Sequence, residues 1–147
     1  MNQWVIAIIL QAMGLLLRDP VSAMTMDQFT TSLDTLRAGC APKFKIEPAT
    51  LDRLRMGDFS QEATQDVMCY AKCICLMVGT VNKKGDFNAA KAIAQLPHLV
   101  PAELLDVSTR AINACKDEYK NYKDSCEKVY KTAKCVGANG EGKLMFP

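Results

Sequence analysis

Residues 60–80 read Ser60-Gln61-Glu62-Ala63-Thr64-Gln65-Asp66-Val67-Met68-Cys69-Tyr70-Ala71-Lys72-Cys73-Ile74-Cys75-Leu76-Met77-Val78-Gly79-Thr80. Val67, Ala71, Ile74 and Val78 recur at helical spacing and form one stripe. Cys69, Cys73, Leu76 and Thr80 form a second. Two apolar stripes on one helix describe an element buried on most sides, around which the rest of the chain must pack. Ser60, followed by Gln61 and Glu62, predicts its start. Cys69 and Cys73 are neighbours on one face, with Cβ atoms about 5–6 Å apart. A disulfide needs about 3.8 Å, so each must bond to another part of the chain. Cys75 lies roughly 200° around the helix from Cys73 and points away from that face.

Working outward, every other periodic segment is also helical. Thr25-x-x-Gln28 is a capping box, followed by Phe29, Leu33 and Leu36, with Gly39 and Pro42 as terminators. Pro48 suits a first helical position, with Leu51 and Leu54 behind it and Gly57 at the end. Asn82-Lys83-Lys84-Gly85-Asp86 reads as a turn. Asn88 to Gln95 predicts a short helix stopped by Pro97, and Pro101 starts the next, with Leu104, Leu105, Ser108, Ala111, Ile112 and Cys115. Asp124-x-x-Glu127 opens the last helix, which Gly137, Gly140 and Gly142 end. No alternating strand pattern and no internal repeat is present, so the expected fold is all-α, with six helices in one domain.

The chain has 147 residues, 49% of them hydrophobic, and 18 basic against 16 acidic side chains. That charge is mixed and shows no basic stripe, which excludes the usual nucleic-acid binder. Residues 5–17 form the one long apolar run, too short to span a bilayer comfortably. Arg18, Asp19 and Pro20 follow, then the small residues Val21-Ser22-Ala23. This order matches a secretory signal peptide over residues 1–23. The expected product is residues 24–147, secreted, extracellular and without stable membrane insertion. The leader takes Trp4, the one tryptophan, with it.

Seven cysteines in a small secreted chain imply a disulfide framework with one thiol left over. Cys126 and Cys135 lie on one helix, about 13 Å apart along its axis, and cannot pair. Cys75 is the candidate free thiol. Helix geometry leaves most pairings of the other six open.

The spacing Cys40-x28-Cys69-x3-Cys73-x41-Cys115-x10-Cys126-x8-Cys135 resembles the six-cysteine pattern of insect odorant-binding proteins. Longer stretches resemble LUSH-type members of that family in flies: residues 39–45, 51–55, 79–85 and 94–101. The resemblance implies the pairs Cys40–Cys73, Cys69–Cys126 and Cys115–Cys135. It also implies a helical domain over residues 24–147 with an internal apolar cavity and a C-terminal tail, 139–147, folded back onto it. Thr80 matches a threonine that binds alcohol hydroxyls in LUSH-type proteins. Cys75 stands where those proteins carry serine, which shifts the expected preference toward less polar ligands. Leu36, Met68, Val78, Phe87, Leu99, Ile112, Val129, Val136 and Phe146 are the other expected wall residues. Arg110 and Glu141 match a charge pair that ties down the tail.

The expected function is that of a secreted carrier. It would bind small volatile hydrophobic ligands (odorants, pheromones or short-chain alcohols) and deliver them to a chemosensory receptor, as a monomer or weak dimer. The alternative is a scaffold that sequesters small hydrophobic mediators in a non-olfactory tissue. No cofactor or metal is expected, because an oxidising compartment turns cysteines into disulfides. No enzyme is expected either. Gly-x-Ser-x-Gly and His-Glu-x-x-His are absent, and the one histidine, His98, is expected in a loop between prolines, away from the cysteines.

Overall fold

The computed structural model describes residues 23–147. The expected leader, 1–23, lies outside the described residues except for Ala23. Six α-helices follow in order: α1 Met26–Cys40, α2 Pro48–Arg55, α3 Gln65–Val78, α4 Ala89–Leu99, α5 Ala102–Cys115 and α6 Ser125–Ala138. Single 3-10 turns at Ala41–Lys43 and Glu118–Asn121 join α1 to α2 and α5 to α6. The only β pairing among the described residues is the bridge Val81–Phe87, which closes the 82–86 turn. The all-α reading therefore holds.

Local chemistry sets the helix ends. At α1 the capping box is complete: Thr25 Oγ1 accepts from Gln28 N at 3.2 Å, and Thr25 N donates to Gln28 Oε1 at 2.9 Å. The start of α3 corrects the sequence reading. Thr64, not Ser60, is the cap, accepting from Val67 N at 3.3 Å. Ser60 is held elsewhere: its N–H donates to Asp58 Oδ1 at 2.9 Å, and its hydroxyl accepts from Arg53 at 3.0 Å. Gly79, at φ 80°, ends α3 in the left-handed conformation that glycine adopts without a Cβ penalty. A second correction falls on α4, which runs through Pro97 to Leu99. Proline removes one donor there, but in the last turn that loss is small, and Val100 N still reaches Leu96 O at 3.0 Å. His98 consequently sits on the final turn of α4, exposed, and not in a loop. In α6, Asp124 Oδ1 accepts from Cys126 N and Glu127 N, and the helix continues past Gly137.

As its two stripes require, α3 is the centre. Its most extensive packing is against α6. Tyr70, Ala71 and Ile74 of α3 meet Leu51 and Leu54 of α2, Phe59, and Val129 and Tyr130 of α6 in the main core. Three disulfides staple this arrangement: Cys40–Cys73 joins α1 to α3, Cys69–Cys126 joins α3 to α6, and Cys115–Cys135 joins α5 to α6. These are the pairs that the resemblance implied. Their sequence separations of 33, 57 and 20 residues correspond to about 3–4 kcal/mol each in the chain-entropy account. Cys75 is the free cysteine. No helix among the described residues is long and apolar enough to cross a membrane.

Candidate functional site

Between α1, α3, α4, α5, α6 and the C-terminal tail lies an apolar pocket of about 280 Å³. Such a volume is at the small end of ordinary ligand sites. Of the expected wall residues, Thr80, Cys75, Leu36, Val78, Phe87, Leu99, Ile112, Val129, Val136 and Phe146 line it. Met68 does not. It shares the Cys75 side of α3 but sits about 10 Å nearer the N-terminal end, where it packs against the main core.

Several wall residues escape the sequence reading. Phe29 and Leu33 of α1 and Ile74 of α3 were legible as core stripes but not as pocket wall. Ser108 of α5 and Thr132 of α6 also line the pocket and are both 4% exposed. Their signal was present: each is a hydroxyl in the middle of an apolar stripe, between Leu104 and Ile112 and between Val129 and Val136.

The α3 end of the pocket is built by the glycine cap. The turn at Gly79 lets the chain fold back, so that Thr80 N donates to Cys75 O at 3.0 Å. Thr80 Oγ1 also donates to that carbonyl, at 3.4 Å. The threonine thus bonds its own helix. Cys75 keeps some accessible surface, but this surface faces the pocket. Burial pushes its thiol up to about 12, against a smaller opposing effect of the Thr80 hydroxyl. At neutral pH Cys75 is therefore protonated, a small apolar group and a poor nucleophile.

The opposite closure comes from the tail. After a turn in which Glu141 takes φ 55°, residues 144–147 run along the pocket mouth, and all four line it. The Phe146 ring packs 5.6 Å from Phe59 and 6.3 Å from Tyr70. Tyr70 is buried on α3, and its hydroxyl donates to the Pro147 carbonyl at 2.7 Å. Burial pushes the Tyr70 phenol up to about 12, opposed by Arg37 and Arg55. Arg110 of α5 reaches Glu141 at 2.8 Å, the pair anticipated from the sequence.

No Lys, Arg, His, Asp or Glu side chain lines the pocket. An ionised ligand would find nothing there to replace its hydration, which is costly. The site suits a small neutral apolar molecule carrying at most a few polar atoms.

The comparisons with known proteins agree with this geometry. The profile of the PBP/GOBP family matches residues 22–139. General odorant-binding protein 72 of Anopheles gambiae is 30% identical over 125 residues, covering 85% of this chain and all of the mosquito protein. The solved structure of odorant binding protein 4 from Chrysopa pallens superposes with a TM-score of 0.73, at 24% identity over 84% of this chain and 99% of the other. Odorant binding protein 5 of Apis mellifera gives a TM-score of 0.71, at 26% identity over 86% of this chain and all of the other. The pocket, the disulfide framework and the matched span together place this chain in the PBP/GOBP family of insect odorant-binding proteins, which are small-ligand carriers and not enzymes.

Proposed function

We propose that the protein is a secreted carrier that takes one small volatile hydrophobic ligand into this pocket and delivers it to a chemosensory receptor. The observation that carries the reading is the pocket itself: about 280 Å³, lined almost wholly by apolar groups, with hydroxyls at a few points and no charged side chain. Residues 1–23 act as the leader, and the working unit is residues 24–147. Within the pocket, Thr80 offers oxygen lone pairs to an alcohol, because its proton is directed at the Cys75 carbonyl. The Cys75 thiol, apolar and protonated, replaces a second hydroxyl and favours odorants or pheromones of low polarity over short-chain alcohols.

Displacement of an environment-sensitive apolar fluorophore from residues 24–147 tests the reading. Without Trp4 the chain contributes no indole background. Saturable displacement by medium-chain alcohols, esters or hydrocarbons is expected. A chain that binds neither the fluorophore nor any of these compounds is not such a carrier.

A further inference from the structure

Four hydroxyls line the pocket, on Ser32, Thr80, Ser108 and Thr132. Three are committed inside the protein. Ser32 donates to the Gln28 carbonyl at 2.9 Å, Thr132 to the Lys128 carbonyl at 2.8 Å, and Thr80 to the Cys75 carbonyl at 3.4 Å. Bonding to the carbonyl one turn back is the habit of helical hydroxyls in this chain. Thr30, Thr31 and Thr109 do the same.

Ser108 departs from the habit. It lies inside α5, with the Leu104 carbonyl available one turn back, yet its hydroxyl makes no hydrogen bond among the described residues. It is 4% exposed, and the space it lines is the pocket. Its neighbours on the same stripe, Leu104 and Ile112, are apolar. The Ser108 oxygen is not among the fully enclosed polar atoms that lack a partner, so it stays reachable from the pocket, and a ligand atom there can take up its open bonding capacity.

We propose that Ser108 is the specificity-determining polar contact of the pocket, donating its proton to the single acceptor oxygen of a neutral apolar ligand such as a ketone, aldehyde or ester. The two ends of the pocket differ in what they offer. Thr80 already has an acceptor for its proton in the Cys75 carbonyl at 3.4 Å, so a ligand carbonyl gains less there than at Ser108. Ser108 has a free proton, which a carbonyl oxygen needs. A carboxylate would also accept it, but no wall residue offsets the remaining charge. The proposal rests on the carrier reading above and adds the ligand class to it.

The test compares a medium-chain methyl ketone with the alkane of equal length, by fluorophore displacement, on the wild type, Ser108→Ala and Thr80→Val. Ser108→Ala is expected to weaken ketone binding by roughly threefold to tenfold and to leave alkane binding within about twofold. The alkane titration doubles as the check that the variant is folded. Thr80→Val should cost the ketone less than Ser108→Ala does. Equal losses for ketone and alkane, no loss for the ketone, or a larger loss from Thr80→Val each overturn the role of Ser108 while leaving the carrier intact. A wild-type chain that binds neither probe overturns the carrier reading, and this proposal with it.

Discussion

The pocket has two kinds of wall. On one side are α3 and α6, packed along their length, tied by Cys69–Cys126 and anchored in the core around Tyr70, Ile74 and Val129. On the other are residues 144–147, held by the hydrogen bond from Tyr70 to Pro147, the ring contacts of Phe146, the packing of Leu144 and Met145 against Phe29, Leu33, Leu104 and Val107, and a surface ion pair at Glu141. The first wall is fixed by covalent bonds and buried side chains. The second is an irregular strap that no disulfide ties down, held by side-chain packing and a single side-chain hydrogen bond. On the proposed carrier reading, the helices carry most of the stability and the tail is the wall whose removal should be felt in binding.

Substitutions separate the two walls, and the largest effect belongs to the helices. Replacing Cys69 and Cys126 together by serine should lower stability by about 4 kcal/mol, read as a large drop in melting temperature. Deleting residues 143–147 should lower the melting temperature by less than the disulfide loss does, leave the helices folded, and weaken ligand binding about tenfold, the worth of roughly 55 Å² of apolar contact at ~25 cal/mol per Å². If the deletion unfolds the protein, the tail belongs to the core and the comparison fails. Tyr70→Phe removes the donor to Pro147 and should cost about 1 kcal/mol, with faster ligand release. At the small end, Arg110→Ala breaks the exposed pair with Glu141. Its effect on binding should stay near the error of the measurement and disappear at high salt.

Cys75 supplies a pH test of the fixed wall. The thiol ionises near its ordinary 9.0 in the unfolded chain and near 12 in the folded one. Between those values the unfolded chain has lost a proton that the folded chain keeps, so stability falls as pH rises. From pH 8 to pH 10 the loss should be about 1 kcal/mol, measured by chemical denaturation, and Cys75→Val should remove most of it. Alkylation of native Cys75 should be slow at pH 8, and rapid labelling would contradict the buried assignment.

Much of this was legible in the sequence, for identifiable reasons. The periodic stripes of α3, α5 and α6 encode burial directly, and Thr25, Pro48 and Asp124 mark helix starts by chemistry that acts within one turn. What escaped depends on competition between neighbours. Ser60 would have been a sound cap had Asp58 and Arg53 not engaged it first. Pro97 would have stopped a helix that had further to run. The pocket was harder to read, because an apolar stripe looks the same whether it faces another side chain or empty space. Ile74 and Val129 belong to both the core and the wall. Ser108 and Thr132 sit on stripes as alike as those of any two helices, and only the hydrogen bond that one makes and the other lacks separates them.

The most direct test of the central claim is a calorimetric titration of residues 24–147 with a neutral medium-chain ketone or ester at two temperatures. One ligand per chain, with saturation and a negative heat-capacity change from burial of apolar surface, is the predicted result. Deleting residues 143–147 should weaken that binding without unfolding the helices. No saturable heat and no displacement of an apolar reporter, from a protein whose three disulfides are formed, would contradict the account.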